Sequence, residues 1–130
     1  MRMRKTAALM IAVFLGFMPP HLDAARGPVP AQPRRLELLV IEVKGCNVCD
    51  LVRTYIQPAY EATPRSKAIP MRYVDITHID EMKLGLNTPV STVPTIVLMQ
   101  DGHEIERISG YTGPTNFFAA LTQMVTLLEP

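Results

Sequence analysis

The chain is poor in cysteine, in net charge and in long apolar runs, and each shortage excludes a class of protein. Its two cysteines are too few for a small secreted scaffold held together by disulfides. The formal net charge of the 130 residues is only +1, which gives no reason to expect nucleic acid or an anionic membrane surface as a partner. The apolar run near the N-terminus spans 13 residues, whereas a membrane-spanning helix needs about 20.

The first 25 residues have the pattern of a cleaved export signal. Three basic residues precede the apolar run, Pro19-Pro20 ends it, and Ala24-Ala25 offers small residues for cleavage. The alternative is a retained membrane anchor, which the short run disfavours. No cysteine lies in residues 19–26, directly after the run, so attachment of a lipid to a cysteine is not indicated. We therefore predict a signal peptide at residues 1–25, and the mature chain then carries ten basic and eleven acidic residues, a net charge of −1.

The rest of the chain predicts a short linker and one α/β domain. Residues 26–35 contain three prolines and indicate an extended linker, which leaves residues 36–130 as the domain. The apolar periodicity of this domain favours the order β-α-β-α-β-β-α. The predicted strands are residues 36–43, 69–76, 95–99 and 103–108, and the predicted helices begin near residues 47, 80 and 114. Pro58 is expected to kink or end the first helix. The predicted helix at 80–84 is supported only by a capping-like sequence at 77–80.

Redox chemistry is indicated by Cys46-Asn-Val-Cys49, which lies between the first strand and the first helix. A thiol at a helix N-terminus is stabilised as the thiolate by unpaired N–H groups and by the helix dipole. A second thiol about one turn further on can close a disulfide by exchange. We therefore predict Cys46 as the attacking thiol and Cys49 as the resolving one. The alternatives are a static disulfide or half of a zinc site, although zinc normally has four ligands and, after the N-terminal region, only His78 and His103 could complete a set.

Val93-Pro94-Thr95, directly before the third predicted strand, is the second candidate site. A proline cannot donate a hydrogen bond to a sheet and so belongs at the first residue of a strand or at an edge. In a redox fold, a cis proline here would bring the backbone close to the cysteines and offer it to an extended substrate. We predict the cis isomer and a substrate-binding role for these three residues.

Taken together, the cysteine pair, Val93-Pro94-Thr95, the Asp101-Gly102 hairpin turn and Gly110 before the last helix resemble the thioredoxin superfamily over about residues 36–128. A narrower likeness is to the small periplasmic thioredoxins encoded with bacterial sulfur-oxidation (Sox) systems. This likeness is carried by Pro58-x-Tyr60, Ala68-x-Pro70-Met-Arg72, Asp75, Pro94-Thr-Ile-Val-Leu98, Gly102-x-Glu104, Arg107, Gly110-Tyr111 and Phe117-Phe118.

The resemblance implies a thioredoxin-like fold in a short form, with a central mixed sheet and flanking helices. It implies a periplasmic thiol–disulfide oxidoreductase that reduces disulfides of client proteins and receives electrons from a membrane thiol carrier. No cofactor, no stably bound metal and no nucleic acid are expected.

The chain departs from the thioredoxin pattern at three places. Thioredoxins usually have tryptophan before the first cysteine, and this chain has Gly45 there and no tryptophan at all. The buried acid of the family falls at Val40, and Glu42 is the nearest carboxylate along the strand. The strand and helix that open full thioredoxins also have no counterpart.

Two further function classes remain open. A strand–Cys-x-x-Cys–helix junction also suits a copper-binding or metallochaperone module, because thiolates are soft ligands. Copper chaperones usually carry methionine where this chain has Lys44, and Val93-Pro94-Thr95 would have no use in such a module. Stoichiometric retention of Cu(I) without disulfide reductase activity would favour this class. The third class is a partner-binding domain with an idle disulfide, whose function would survive loss of both cysteines.

Overall fold

A computed structural model describes residues 32–128; the predicted signal peptide and most of the predicted linker lie outside them. The strands are β1 (Leu36–Glu42), β2 (Met71–Asp75), β3 (Thr95–Gln100) and β4 (His103–Ser109). The α-helices are α1 (Asn47–Leu51), α2 (Gln57–Glu61), α3 (Arg65–Ala68) and α4 (Pro114–Thr126). A π-helical segment, Val52–Ile56, joins α1 to α2, and a 3₁₀ turn, Ile76–His78, follows β2.

The four strands form one mixed sheet in the order β2-β1-β3-β4. β1 pairs in parallel with β2 and antiparallel with β3, and β3 and β4 form an antiparallel hairpin. The hairpin turns at Asp101 and Gly102, which both have positive φ, as the Asp-Gly pair predicted. The predicted α/β architecture with a central mixed sheet and flanking helices is confirmed.

The central strand β1 is apolar on both faces because both faces of the sheet are covered. Four consecutive residues, Leu38 to Ile41, are completely buried. Leu38 and Val40 belong to the core beneath the helices, whereas Leu39 and Ile41 belong to a second core on the opposite face. That second core is covered by side chains from the segment between β2 and β3: Ile76, Ile79, Leu84, Leu86, Val90 and Val93. A strand buried on both faces requires such a continuous apolar run.

The first helical stretch is one run, residues 47–61, which changes its winding before Pro58. Pro58 has no N–H to donate to the carbonyl of Thr54, and its ring would crowd that carbonyl in a regular α-helix. The chain widens to π-helix over Val52–Ile56, and Pro58 lies in the first turn of α2. Pro58 therefore does not end the helix, and it is accommodated by a local change of helix type.

The predicted helix at residues 80–84 is wrong. The chain forms the 3₁₀ turn Ile76–His78 instead, and turns follow as far as Lys83, whose φ is +48°. The cap is also displaced, because Asp75 accepts the hydrogen bond from the N–H of Thr77, at 2.8 Å. Conversely, the short helix α3 was not predicted. None of the helices described in residues 32–128 has the length and apolar character required to cross a membrane.

Candidate active site

The two cysteines form a disulfide at the N-terminus of α1. Cys46 is the N-cap residue, with extended backbone, and Cys49 lies one turn later with a Cα–Cα separation of 5.2 Å. The N–H of Cys49 donates to Sγ of Cys46 at 3.1 Å. Cys46 is half-buried, whereas Cys49 is only 1% exposed. Cys46 is therefore the more exposed residue of the pair, and its sulfur accepts a backbone hydrogen bond.

A tight turn delivers Cys46 to this position. Gly45 has φ +79°, a conformation that residues with a Cβ rarely adopt, and the N–H of Cys46 bonds to the carbonyl of Val43 at 3.3 Å. Lys44 and Gly45 are both exposed. The turn ends β1 and starts α1 within four residues, so Cys46 lies just beyond the C-terminal end of β1 and at the start of a helix.

The bond between Val93 and Pro94 is cis, as predicted. Pro94 is buried, and its carbonyl accepts a hydrogen bond of 2.7 Å from the N–H of Gly110. The hydroxyl of Thr95, itself 1% exposed, donates to the carbonyl of Thr92 at 2.6 Å. Within residues 32–128, the N–H and the carbonyl of Val93 have no hydrogen-bond partner. Pro94 and Thr95 are thus fixed, while one peptide edge at Val93 remains open.

The sheet topology places both candidate sites at the same end. Thr95, the first residue of β3, pairs with Ile41 near the end of β1. Because β1 and β3 are antiparallel, the chain leaves β1 toward Cys46 at the end where it enters β3 from Pro94. The residues predicted from two distant parts of the sequence therefore lie at the same end of the two central strands.

Charged side chains near β1 do not replace the buried acid of the thioredoxin pattern. Val40 is completely buried in the core beneath the helices. Glu42 forms an ion pair with Arg53, whose guanidinium stacks over the ring of Tyr73 at 3.7 Å from its centroid. Burial raises the pKa of the Tyr73 hydroxyl, which donates to Gln57 at 2.9 Å. This group of side chains joins the first helical stretch to the sheet.

A second ion pair joins Glu104 and Arg107 on β4, and the sequence alone assigns no role to either residue. Their side chains are 4% and 16% exposed, and two hydrogen bonds of 2.5 Å connect them. Hydrogen bonding from Arg107 lowers the pKa of the Glu104 carboxyl. A glutamate that alternates into the covered face of a strand was the available signal, because such a carboxylate needs a partner.

Within residues 32–128, no group of three or more histidine, cysteine, aspartate or glutamate side chains has the spacing to hold a metal ion. His78 and His103, which were considered as additional zinc ligands, are both exposed.

A disulfide between a half-buried and a fully buried cysteine at a helix N-terminus, with a cis-proline loop at the same end of the central strands, defines the class of thiol–disulfide oxidoreductases. Comparison with solved structures agrees with this class. The periplasmic thioredoxin SoxS from Paracoccus pantotrophus, in its reduced form, is 32% identical to this chain, with a TM-score of 0.67. The match covers 72% of this chain and 99% of that one.

Two further thioredoxins show the same fold at lower identity. The protein from Malassezia sympodialis is 19% identical with a TM-score of 0.56, and the match covers 69% of this chain and 77% of that one. The protein from Fasciola hepatica is also 19% identical, with a TM-score of 0.51 and coverage of 69% and 81%. No protein-family model matches the sequence, and the comparison with curated proteins gives no match. On the identity and coverage shared with SoxS, the chain belongs to the thioredoxin superfamily.

Proposed function

We propose that this protein is a periplasmic reductase of disulfides in client proteins, with Cys46 as the attacking thiol and Cys49 as the resolving thiol. The observation that carries the proposal is the contrast between the two sulfurs. Cys46 is half-buried and accepts a backbone hydrogen bond, whereas Cys49 is 1% exposed. A client sulfur can reach the first sulfur from solvent, while the second is reached only from within the protein.

The reaction transfers two electrons to the client. The reduced protein attacks with the Cys46 thiolate, a bond forms to one client sulfur, and the client disulfide breaks. The other client sulfur leaves with the bonding electron pair and takes up a proton. The Cys49 thiol then loses its proton and attacks Cys46, which releases the second client thiolate. The protein ends with the Cys46–Cys49 disulfide, the state found in the structure.

Val93, Pro94 and Thr95 form the proposed binding site for the client backbone. The open N–H and carbonyl of Val93 provide one donor and one acceptor, the pair with which an extended peptide hydrogen-bonds at a strand edge. Buried Pro94 and Thr95 hold this peptide edge in place through their bonds to Gly110 and Thr92. The shared position of this segment and Cys46 at one end of the sheet supports the assignment.

The pattern of residues 1–25 supports export, and the likeness to a periplasmic thioredoxin supports the periplasm as the destination. In an oxidising compartment a dithiol stays reduced only if electrons are supplied continuously. We therefore include a membrane thiol carrier as the electron donor. N-terminal sequencing of the exported protein should begin near Ala25 or Arg26, and a mature protein that retains Met1 would contradict cleavage.

A trapping experiment tests the assignment of the two cysteines. C49S removes the resolving thiol, so its reaction with insulin, used as a probe disulfide, should stop at a mixed disulfide on Cys46. The matched variant C46S retains only the buried cysteine and should form little adduct. Mass spectrometry under non-reducing conditions measures both. Equal adduct on the two variants, or no adduct on C49S, would contradict the proposal.

A further inference from the structure

The segment that leads into the client-binding residues has almost no backbone structure of its own. Residues 79–94 contain neither a helix nor a strand, and their strand-like pairing is limited to an isolated bridge between Gly85 and His103. From Asn87 to Val93 no backbone group bonds to another backbone group. Because backbone groups near a core need partners, other atoms must hold this segment.

Glu104 and Arg107 supply most of those partners. A carboxylate oxygen of Glu104 accepts from the N–H of Asn87 at 2.8 Å. The guanidinium of Arg107 donates to the carbonyls of Thr88 and Pro89, at 2.8 and 3.3 Å. The two side chains are also bonded to each other, so one ion pair holds three consecutive residues of the segment.

We propose that the Glu104–Arg107 pair positions Val93 and Pro94 for the client, and that the two residues are positioning residues for protein disulfides. The proposal rests on the proposed function of Val93-Pro94-Thr95 as the client-binding site. The pair holds the segment at Asn87, Thr88 and Pro89, the last of which lies four residues before Val93. A second contact holds it just after Val93, where the N–H of Gly110 donates to the carbonyl of Pro94.

The peptide edge of Val93 is therefore held between two anchors on the same part of the chain. Val90 and Val93 pack against the core between these anchors, which limits their movement toward or away from the sheet. Loss of the first anchor releases the segment on the side of Asn87 to Pro89 but leaves the Gly110 bond intact. The cysteines lie in a different segment, at the junction between β1 and α1. They have no hydrogen bond to Glu104 or Arg107. Loss of the pair should therefore impair recognition of an extended chain without changing the chemistry of the sulfurs.

This separation predicts a difference between two substrates. Insulin must align its backbone with Val93, whereas 5,5′-dithiobis(2-nitrobenzoate), a small aromatic disulfide, needs only the Cys46 sulfur. R107M should lower kcat/KM for insulin about tenfold or more, mainly through KM, since small misplacements of a binding group are costly. The rate with the small disulfide should stay within about twofold of the wild-type rate, because the attacking thiolate is unchanged.

R72M is the matched control, because Arg72 also forms an ion pair with two hydrogen bonds, to Glu37, but does so on β2 and away from residues 79–94. R72M should retain the wild-type kcat/KM for insulin. E104Q is a milder variant, because it keeps the size of the side chain and an oxygen for the Asn87 N–H. It should show the same substrate-dependent loss, and it serves as the test if R107M does not fold.

Three outcomes are decisive. A substrate-dependent loss in R107M or E104Q, absent in R72M, supports the positioning role. Equal effects on both substrates, or wild-type insulin kinetics in a folded variant, would overturn it while the proposed function stands. A wild-type protein that reduces the small disulfide but not insulin would overturn the proposed function itself.

Discussion

At the scale of single residues, the proposed roles of the two cysteines are supported by a difference in burial, because Cys46 is half-buried and Cys49 is 1% exposed. The Cys-x-x-Cys spacing and the strand-to-helix junction predicted the pairing and the order of attack from general chemistry. The structure adds the burial of Cys49 and the bond from its N–H to Sγ of Cys46. We expect the same N–H and the end of α1 to face the Cys46 thiolate in the reduced protein.

The reduced protein should therefore react with iodoacetamide at Cys46 long before Cys49. The helix N-terminus favours ionisation of the first thiol, and burial shields the second. Peptide mapping after short exposures at a series of pH values measures the two rates separately. In G45A, strain at the positive φ of residue 45 should displace Cys46 and reduce its advantage. Equal rates at both sulfurs of the wild type would refute the assignment.

Glu104 should make the protein sensitive to acid. Its pKa is lowered chiefly by the hydrogen bonds from Arg107, so the folded state binds the proton less readily than the unfolded state. The stabilisation is present above the unfolded glutamate pKa of about 4.3 and is lost as the pH falls through the lower folded value.

Urea unfolding from pH 7 to pH 3 measures this effect. The wild type should lose stability steeply below about pH 4.5. E104Q should lose about 1–3 kcal/mol at pH 7 and show a flatter acid limb. E37Q, which removes a more exposed carboxylate, should keep the wild-type slope because surface ion pairs contribute little. An unchanged acid limb in E104Q would show that Glu104 is not the group responsible.

At the scale of elements, the buried hydroxyl of Tyr60 joins α2 to the start of β2. It donates to the carbonyl of Ile69 at 2.6 Å, and burial raises its pKa to about 12. Its ring also meets Phe117 of α4 edge-on, with the centroids 6.1 Å apart. One side chain thus contacts the first helical stretch, the last helix and the approach to β2.

Y60F should lower the free energy of unfolding by about 1–3 kcal/mol, because the ring still fills its site while the Ile69 carbonyl loses its partner. Chemical denaturation measures the change, and insulin reduction by the folded variant should remain at the wild-type level. Y55F is the control, since Tyr55 is 55% exposed and its hydroxyl can bond to water. A loss in Y55F equal to that in Y60F would contradict the role of the buried bond.

The elements that the sequence predicted well are those with strong apolar periodicity or a defined turn chemistry. β1, the hairpin after β3 and α4 follow from an apolar run, from Asp101-Gly102 and from Gly113-Pro114. The helix predicted at residues 80–84 was wrong because the order of residues 79–94 depends on partners that are distant in sequence. Their apolar side chains cover the sheet, and Glu104 and Arg107 hold their backbone, which no local pattern can reveal.

At the scale of the whole molecule, the fold alone does not determine whether the protein reduces or oxidises its clients. The same sheet, helix end and cysteine pair serve reductants and oxidants, whose reduction potentials extend from about −270 to about −120 mV. The buried acid of the thioredoxin pattern is replaced by Val40, so likeness alone does not fix the potential.

We expect the protein to act as a reductant. Its Cys46–Cys49 couple should equilibrate with glutathione at a potential near the reducing end of that range, and acid trapping of cells should find both cysteines mostly as thiols. Rapid alkylation followed by mass spectrometry measures the second quantity. A potential near about −120 mV together with oxidised cysteines in cells would reverse the assignment and make the protein an oxidase of client thiols.

The two faces of the sheet should differ in how readily they open. One face lies under the first helical stretch and α4, whose amides are bonded within each helix. The other face lies under residues 79–94, and seven consecutive residues of this segment, 87–93, have no backbone–backbone hydrogen bond. Amide hydrogens of this layer should exchange with deuterium through local opening, well before those of β1 and β3. A client that binds at Val93 would then slow exchange throughout residues 79–94. The affinity for the client would therefore include the free energy of ordering this whole segment, which is larger than the contact itself.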